Sequence, residues 1–129
     1  MEIDLAPLKP AIEKFIPQLG NRKVLRPGAT SLDDTEPAKS SITIRQLLSH
    51  SSGLSYGFFD PDTAIYKALN ERGVHDPRTT LADMVDVLAG LPLIYHPGPS
   101  WEYSLATDVV ARLVEVISGQ SFDKFIQAR

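Results

Sequence analysis

No cysteine occurs anywhere in the chain, which excludes disulfides and thiolate chemistry. That absence suits a reducing compartment, yet many periplasmic proteins share it, so cytoplasm and periplasm both stay open. No apolar run approaches the ~20 residues needed to span a bilayer. The opening Met1-Glu2-Ile3-Asp4 is acidic and lacks the basic and apolar regions of a signal peptide. The sequence therefore reads as soluble, with no membrane partner. Positive charge is also sparse: the formal net charge is -3 and the pI is near 5.5. The 13 basic residues are scattered rather than striped, so no nucleic-acid partner is expected. Only three histidines are present, His50, His75 and His96, and none has a partner at His-x-x-x-His spacing. No metal site and no cofactor are implied.

What is present suits one folded domain. At 129 residues, a chain folding alone would bury roughly two-thirds of its unfolded surface. Hydrophobic residues at 43% and charged residues at 22% argue against disorder. The 10 prolines fall between periodic segments and cut the chain into short elements, which disfavours long strands. Leu8, Ile12, Phe15 and Ile16 recur at helical intervals before Pro17 and Gly20, predicting one short helix over 8–19. From Asn21 to Ser41 the sequence reads as a polar surface loop, with Val24-Leu25 as its one candidate strand. Thr43 can cap a helix through Ile44, Leu47 and Leu48 that ends at Gly53. Asp60 or Asp62 can cap a segment through Ile65 and Leu69 to Gly73, and Thr80 another through Met84, Val85 and Leu88 to Gly90. Leu105, Val109, Leu113 and Ile117 recur every four residues, a stripe that predicts a buried helix face. Ser104 is placed to cap that helix and Gly119 to end it, and Ser121 to cap a last segment with Phe122, Phe125 and Ile126.

Two stretches are more particular than this: Ile42-Thr43-Ile44-Arg45-Gln46-Leu47-Leu48-Ser49-His50-Ser51-Ser52-Gly53-Leu54, and Pro97-Gly98-Pro99-Ser100-Trp101-Glu102-Tyr103-Ser104. In order and spacing they resemble the serine β-lactamase and penicillin-binding-protein-like family. Within it they look most like the class C-type enzymes and the related family VIII-like carboxylesterases, whose pattern is TIRxLLxHTSGL followed by PGxxWxYS. The resemblance covers nearly the whole chain. It implies a domain spanning 1–129 that is only part of the family's α/β fold: mostly α, the helical region, with few or no strands. The nucleophile segment and the late sheet motif would lie outside it.

By the same resemblance the family's site combines Ser-x-x-Lys, a Tyr-x-Asn or Tyr-Ser-x element, and a Lys-Thr-Gly-like strand. Only the second is matched here. Carried over by position, Tyr103 would be the general base, with Ser104 in support. Ser104-Leu105 stands where β-lactamases have Ala-Asn, a departure that favours an esterase. Tyr56, Phe58, Phe59 and Trp101 would border the substrate, a small ester or β-lactam-like amide. A free phenol has a pKa of about 10, and bringing it to about 7 takes roughly 4 kcal/mol. A helix N-terminus supplies about 0.3–1 kcal/mol, up to ~2 when partly buried. A nearby ammonium must supply the rest, and the family's is the lysine of Ser-x-x-Lys. Residues 1–129 by themselves are therefore expected to be inactive.

Ser121-Phe122-Asp123-Lys124 satisfies Ser-x-x-Lys literally, but it follows the tyrosine element instead of preceding it and leaves too little chain for a rigid helix. Bland readings stand beside the sharp one. A Trp-x-Tyr sequence commonly packs, with its hydroxyl on backbone. Asp33-Asp34 and Asp83 with Asp86 look solvated rather than catalytic. A different class of function also stays open, a non-catalytic helical interaction module derived from that fold. Either way, helices that would otherwise pack on a sheet are expected to expose stripes such as Val109-Leu113-Ile117, which predicts marginal stability or self-association.

Overall fold

Proline decides the first departure from the sequence reading. In place of one helix over 8–19, the chain makes three 3-10 turns, Ala6–Leu8, Ile12–Lys14 and Pro17–Leu19. Pro10 and Pro17 have no N–H to donate to a helical ladder. The Ile12 amide bonds the Ile42 carbonyl at 2.8 Å, and the Ile44 amide bonds Pro10 at 3.2 Å, so the segment docks as a bridge beside residue 43. Ile12, Ile16 and Leu19 are still buried, as a helix would have left them.

The computed structural model describes residues 4, 6–55, 63–74 and 76–128. Among them stand β1 (Lys23–Leu25), β2 (Thr35–Pro37), α1 (Ile44–Leu48), α2 (Ala64–Glu71), α3 (Leu81–Ala89), α4 (Ala106–Ser118) and α5 (Phe122–Gln127). Helices are the predominant regular structure among the described residues. The strands form one antiparallel pair with Val24 opposite Glu36, so the stretch read as a loop carries a second strand. Pro37 ends β2, where a strand edge tolerates a missing donor. Leu93 extends the other side of β1 through Leu25 N to Leu93 O and Leu93 N to Lys23 O, each 2.8 Å.

Caps explain most helix boundaries. Thr43 and Gln46 form a reciprocal capping box, with bonds of 3.1 and 2.9 Å. The α1 helix does not run to Gly53. It closes at Leu48, with His50 left-handed at φ 55° and the Ser51 amide reaching back to the Gln46 carbonyl at 2.9 Å, a Schellman closure. Thr63 heads α2; Asp60 and Asp62 lie outside the described residues. Thr80 caps α3 by accepting from the Asp83 amide at 3.1 Å. At the far end of α3, Arg22 Nη1 donates to the Leu88 and Leu91 carbonyls at 3.2 and 3.3 Å. A cation there meets carbonyls that the helix leaves open, although burial pulls the guanidinium pKa down.

The longest helix, α4, ends at Gly119, left-handed at φ 72°. Its predicted stripe is only partly covered. Leu105, Val109 and Leu113 are buried against α1 and α3, whereas Ile117 is 63% exposed. The buried part corrects the expectation of an open Val109-Leu113-Ile117 face. Apolar exposure lies instead at Val116 and Ile117 of α4 and Ile126 of the packed α5. Ser121 stands at the start of α5 but does not cap it with its side chain. Glu115 of α4 does, accepting from the Phe122 amide at 2.8 Å. Asp83 and Asp86 are exposed, as are Asp33 and Asp34. Among the described residues, no helix is long and apolar enough to cross a membrane.

Candidate active site

Two segments far apart in sequence are clasped by backbone hydrogen bonds. Ile94 N reaches Gly53 O and Gly98 N reaches Ser51 O, both at 2.8 Å, while Glu102 N reaches His50 O and Leu105 N reaches Ser55 O, both at 3.0 Å. Gly53, at φ 93°, makes this fit: a Cβ there would run into the Tyr95 carbonyl oxygen. The clasp carries the 101–104 segment over the end of α1.

Tyr103 and Trp101 project to the outside of this clasp, 47% and 67% exposed. The Trp101 ring meets His50 edge-on at 6.1 Å. Tyr103 lies over the same imidazole, with ring centroids 5.0 Å apart and planes inclined by 33°. Ser104 points inward and is buried. Its Oγ lies 3.2 Å from His50 Nδ1 and accepts from the Ala106 amide at 3.1 Å. Leu105 therefore holds the formal N-cap position of α4, while Ser104, one residue earlier, supplies the capping oxygen. Among the candidate residues, Tyr103, Ser104 and Trp101 meet around His50. Tyr56, Phe58 and Phe59 lie outside the described residues.

His50 is the residue at this site to which the sequence reading gave no role. Its place in the Ser-His-Ser-Ser-Gly run was the available signal, but the Tyr103 contact is tertiary.

Glu102 faces the other way, into a cavity of about 510 Å³ walled by Leu25, Ile94 and Pro99 and bearing Tyr66 and His96. Tyr66 donates to Glu102 Oε1 at 2.6 Å. Burial, and then that bond to a carboxylate, push the Tyr66 phenol pKa up. His96 accepts from the Lys39 amide through Nδ1 at 3.2 Å, which leaves Nε2 as the donor to Glu36 at 2.7 Å. That bond holds the Glu36 carboxyl below its ordinary range. Tyr103, Ser104 and Trp101 do not line this cavity. Among the described residues, no cluster of three or more metal-ligating side chains forms.

The family model described as Beta-lactamase matches residues 6–129, and the chain belongs to that family. It is 33% identical to the lovastatin esterase of Penicillium rubens over 133 aligned positions, covering 100% of this chain and 32% of that protein. Similarity to esterase EstB of Burkholderia gladioli is 36% over 97 residues, 74% of this chain and 24% of that protein. Among solved structures, EstCE1, described as a hydrolase with promiscuous acyltransferase activity, superposes with a TM-score of 0.67 at 28% identity. That superposition covers 89% of this chain and 28% of EstCE1. Simvastatin synthase (LovD) of Aspergillus terreus superposes with a TM-score of 0.68 at 26% identity, over 96% of this chain and 30% of that structure. The chain thus spans about a third or less of the length of these relatives.

Proposed function

We propose that residues 1–129 are the helical portion of an α/β serine hydrolase that works through an acyl-enzyme, with Tyr103 as its general base. The substrate class is a carboxylic ester, with β-lactam-like amides as the alternative. The observation that carries this reading is the exposed Tyr103 phenol, held against His50 on the clasped loop that leads into α4. In that position the phenolate, stabilised by the lysine ammonium of the longer enzyme, can take a proton from a serine hydroxyl, and the resulting phenol can return it to the leaving alkoxide. Its immediate surroundings favour esters. Two residues after Tyr103, where an asparagine could hydrogen-bond an amide substrate, Leu105 is apolar and buried. Ser104 is committed to His50 and the Ala106 amide and acts in support. Trp101, with Tyr56, Phe58 and Phe59, borders the substrate in this reading. The esterase names of two relatives support the same choice.

The serine, its lysine and the oxyanion donors come, in this proposal, from polypeptide outside these residues, and the 129-residue chain alone is inactive. A fluorophosphonate probe should therefore leave the chain unlabelled. In the longer enzyme, Tyr103→Phe should lower hydrolysis of a p-nitrophenyl ester by about 10²–10⁴-fold, the usual contribution of general base catalysis. Undiminished activity in that variant would defeat the assignment. The rival reading, a non-catalytic module that binds another chain, draws on the exposed Val116, Ile117 and Ile126. It predicts that Tyr103→Phe is silent.

A further inference from the structure

We infer that His50 is a positioning residue for Tyr103, fixing where the phenol sits and which way its plane faces. The inference rests on the proposed role of Tyr103. Its basis is that one residue grips both neighbours of the tyrosine and covers its ring. The His50 carbonyl accepts from the Glu102 amide at 3.0 Å, on one side of Tyr103. On the other side, His50 Nδ1 lies 3.2 Å from Ser104 Oγ, which is itself tied to the first turn of α4. Between these two anchors the imidazole lies 5.0 Å from the phenol, and it meets Trp101 on another edge.

His50 also carries a conformational cost. It occupies the left-handed position that closes α1, with φ 55°, where glycine is the least strained residue. A residue held there in spite of its Cβ invites a functional account, and the ring contacts supply one. An exposed phenol on a loop has freedom about both χ angles. A proton-transferring group must be held within about 0.5 Å of its working place. The stacked imidazole and the pinned flanking residues restrict that freedom.

The test is kinetic, in the longer enzyme with a p-nitrophenyl ester, comparing His50→Asn, Tyr103→Phe and the double variant. Asparagine tolerates the left-handed backbone but lacks the ring. We expect His50→Asn to lower kcat about tenfold, within the ~10²-fold loss that a 1 Å misplacement can cause, with KM changed less than about twofold. The double variant should be no slower than Tyr103→Phe alone, because a misplaced base that is already absent costs nothing further. Ser104→Ala, which removes the Nδ1 anchor together with the Ala106 amide bond but keeps the ring contact, should give a smaller loss in kcat and provides the same readout if His50→Asn does not fold. Two results overturn the inference while leaving Tyr103 in place: wild-type kcat in the His50 and Ser104 variants, or losses that multiply in the double variant. Full activity in Tyr103→Phe would instead remove the base assignment, and the inference with it.

Discussion

Gly53→Ala isolates the geometry of the clasp. Two costs combine at this position. Its φ of 93° is a region that side-chain-bearing residues occupy only under strain, worth about 1–3 kcal/mol. In addition, the new methyl would overlap the Tyr95 carbonyl oxygen and press on Leu93 Cβ at 3.2 Å. Both obstacles are close-packed: one is backbone, and the other belongs to a fully buried side chain. Relief requires the 94–95 backbone to move, which strains the Ile94 N to Gly53 O bond of 2.8 Å. Such a bond contributes about 0.5–1.5 kcal/mol net. The total is about 2–4 kcal/mol by these figures, a large share of the ~5–15 kcal/mol that holds a domain together.

Gly28→Ala is the matched control, since Gly28 has φ 79° but nothing within 4 Å of its would-be Cβ. It should lose only the conformational part, about 1–2 kcal/mol. Urea unfolding of both variants, followed by far-UV circular dichroism, gives the comparison. At an m-value of about 2 kcal/mol/M, the Gly53 variant should unfold about 1–2 M earlier than wild type and clearly before the Gly28 variant. Equal midpoints for the two variants would refute the steric argument.

Acid stability should respond at Glu36. Its folded-state pKa is depressed by the His96 bond. The stabilisation is therefore present above the ordinary glutamate value of about 4.5 and is lost as pH falls through the lower folded value. Glu36→Gln should flatten the fall in urea midpoint on that acid limb, and an unchanged limb would count against the pairing. Replacing Ile117 and Ile126 together with lysine should leave the melting temperature within a few degrees, because both side chains are already exposed. The same change should reduce any concentration-dependent light scattering by the chain; persistent scattering would move the sticky surface elsewhere.

Local rules made much of the helical framework readable. Thr43, Thr80, Gly90 and Gly119 mark boundaries because caps act within a few residues of the backbone groups they serve. The opening segment misled because Leu8, Ile12, Phe15 and Ile16 keep helical spacing while the prolines among them and the Ile42 carbonyl take the backbone elsewhere. Strand β2 carried little signal, since in Thr35-Glu36-Pro37 only Thr35 favours a strand and the pairing comes from β1 lying beside it. Tyr103 stood out through the family pattern alone. Its partner His50, and the Glu36–His96 and Tyr66–Glu102 pairs, depend on contacts between segments dozens of residues apart, which no local spacing encodes.

Helices α2 and α3 lie in sequence between the two halves of the clasp, and their Leu69, Val85 and Leu88 share one core with Val109 of α4. Doubling the length of the 76–79 turn between α2 and α3, exposed at Pro77 and Arg78, costs only about 0.6 kcal/mol in closure entropy. Material grafted into it should therefore leave the tyrosine seated over the imidazole. That turn can be rebuilt while the contact between His50 and Tyr103 stays where it is.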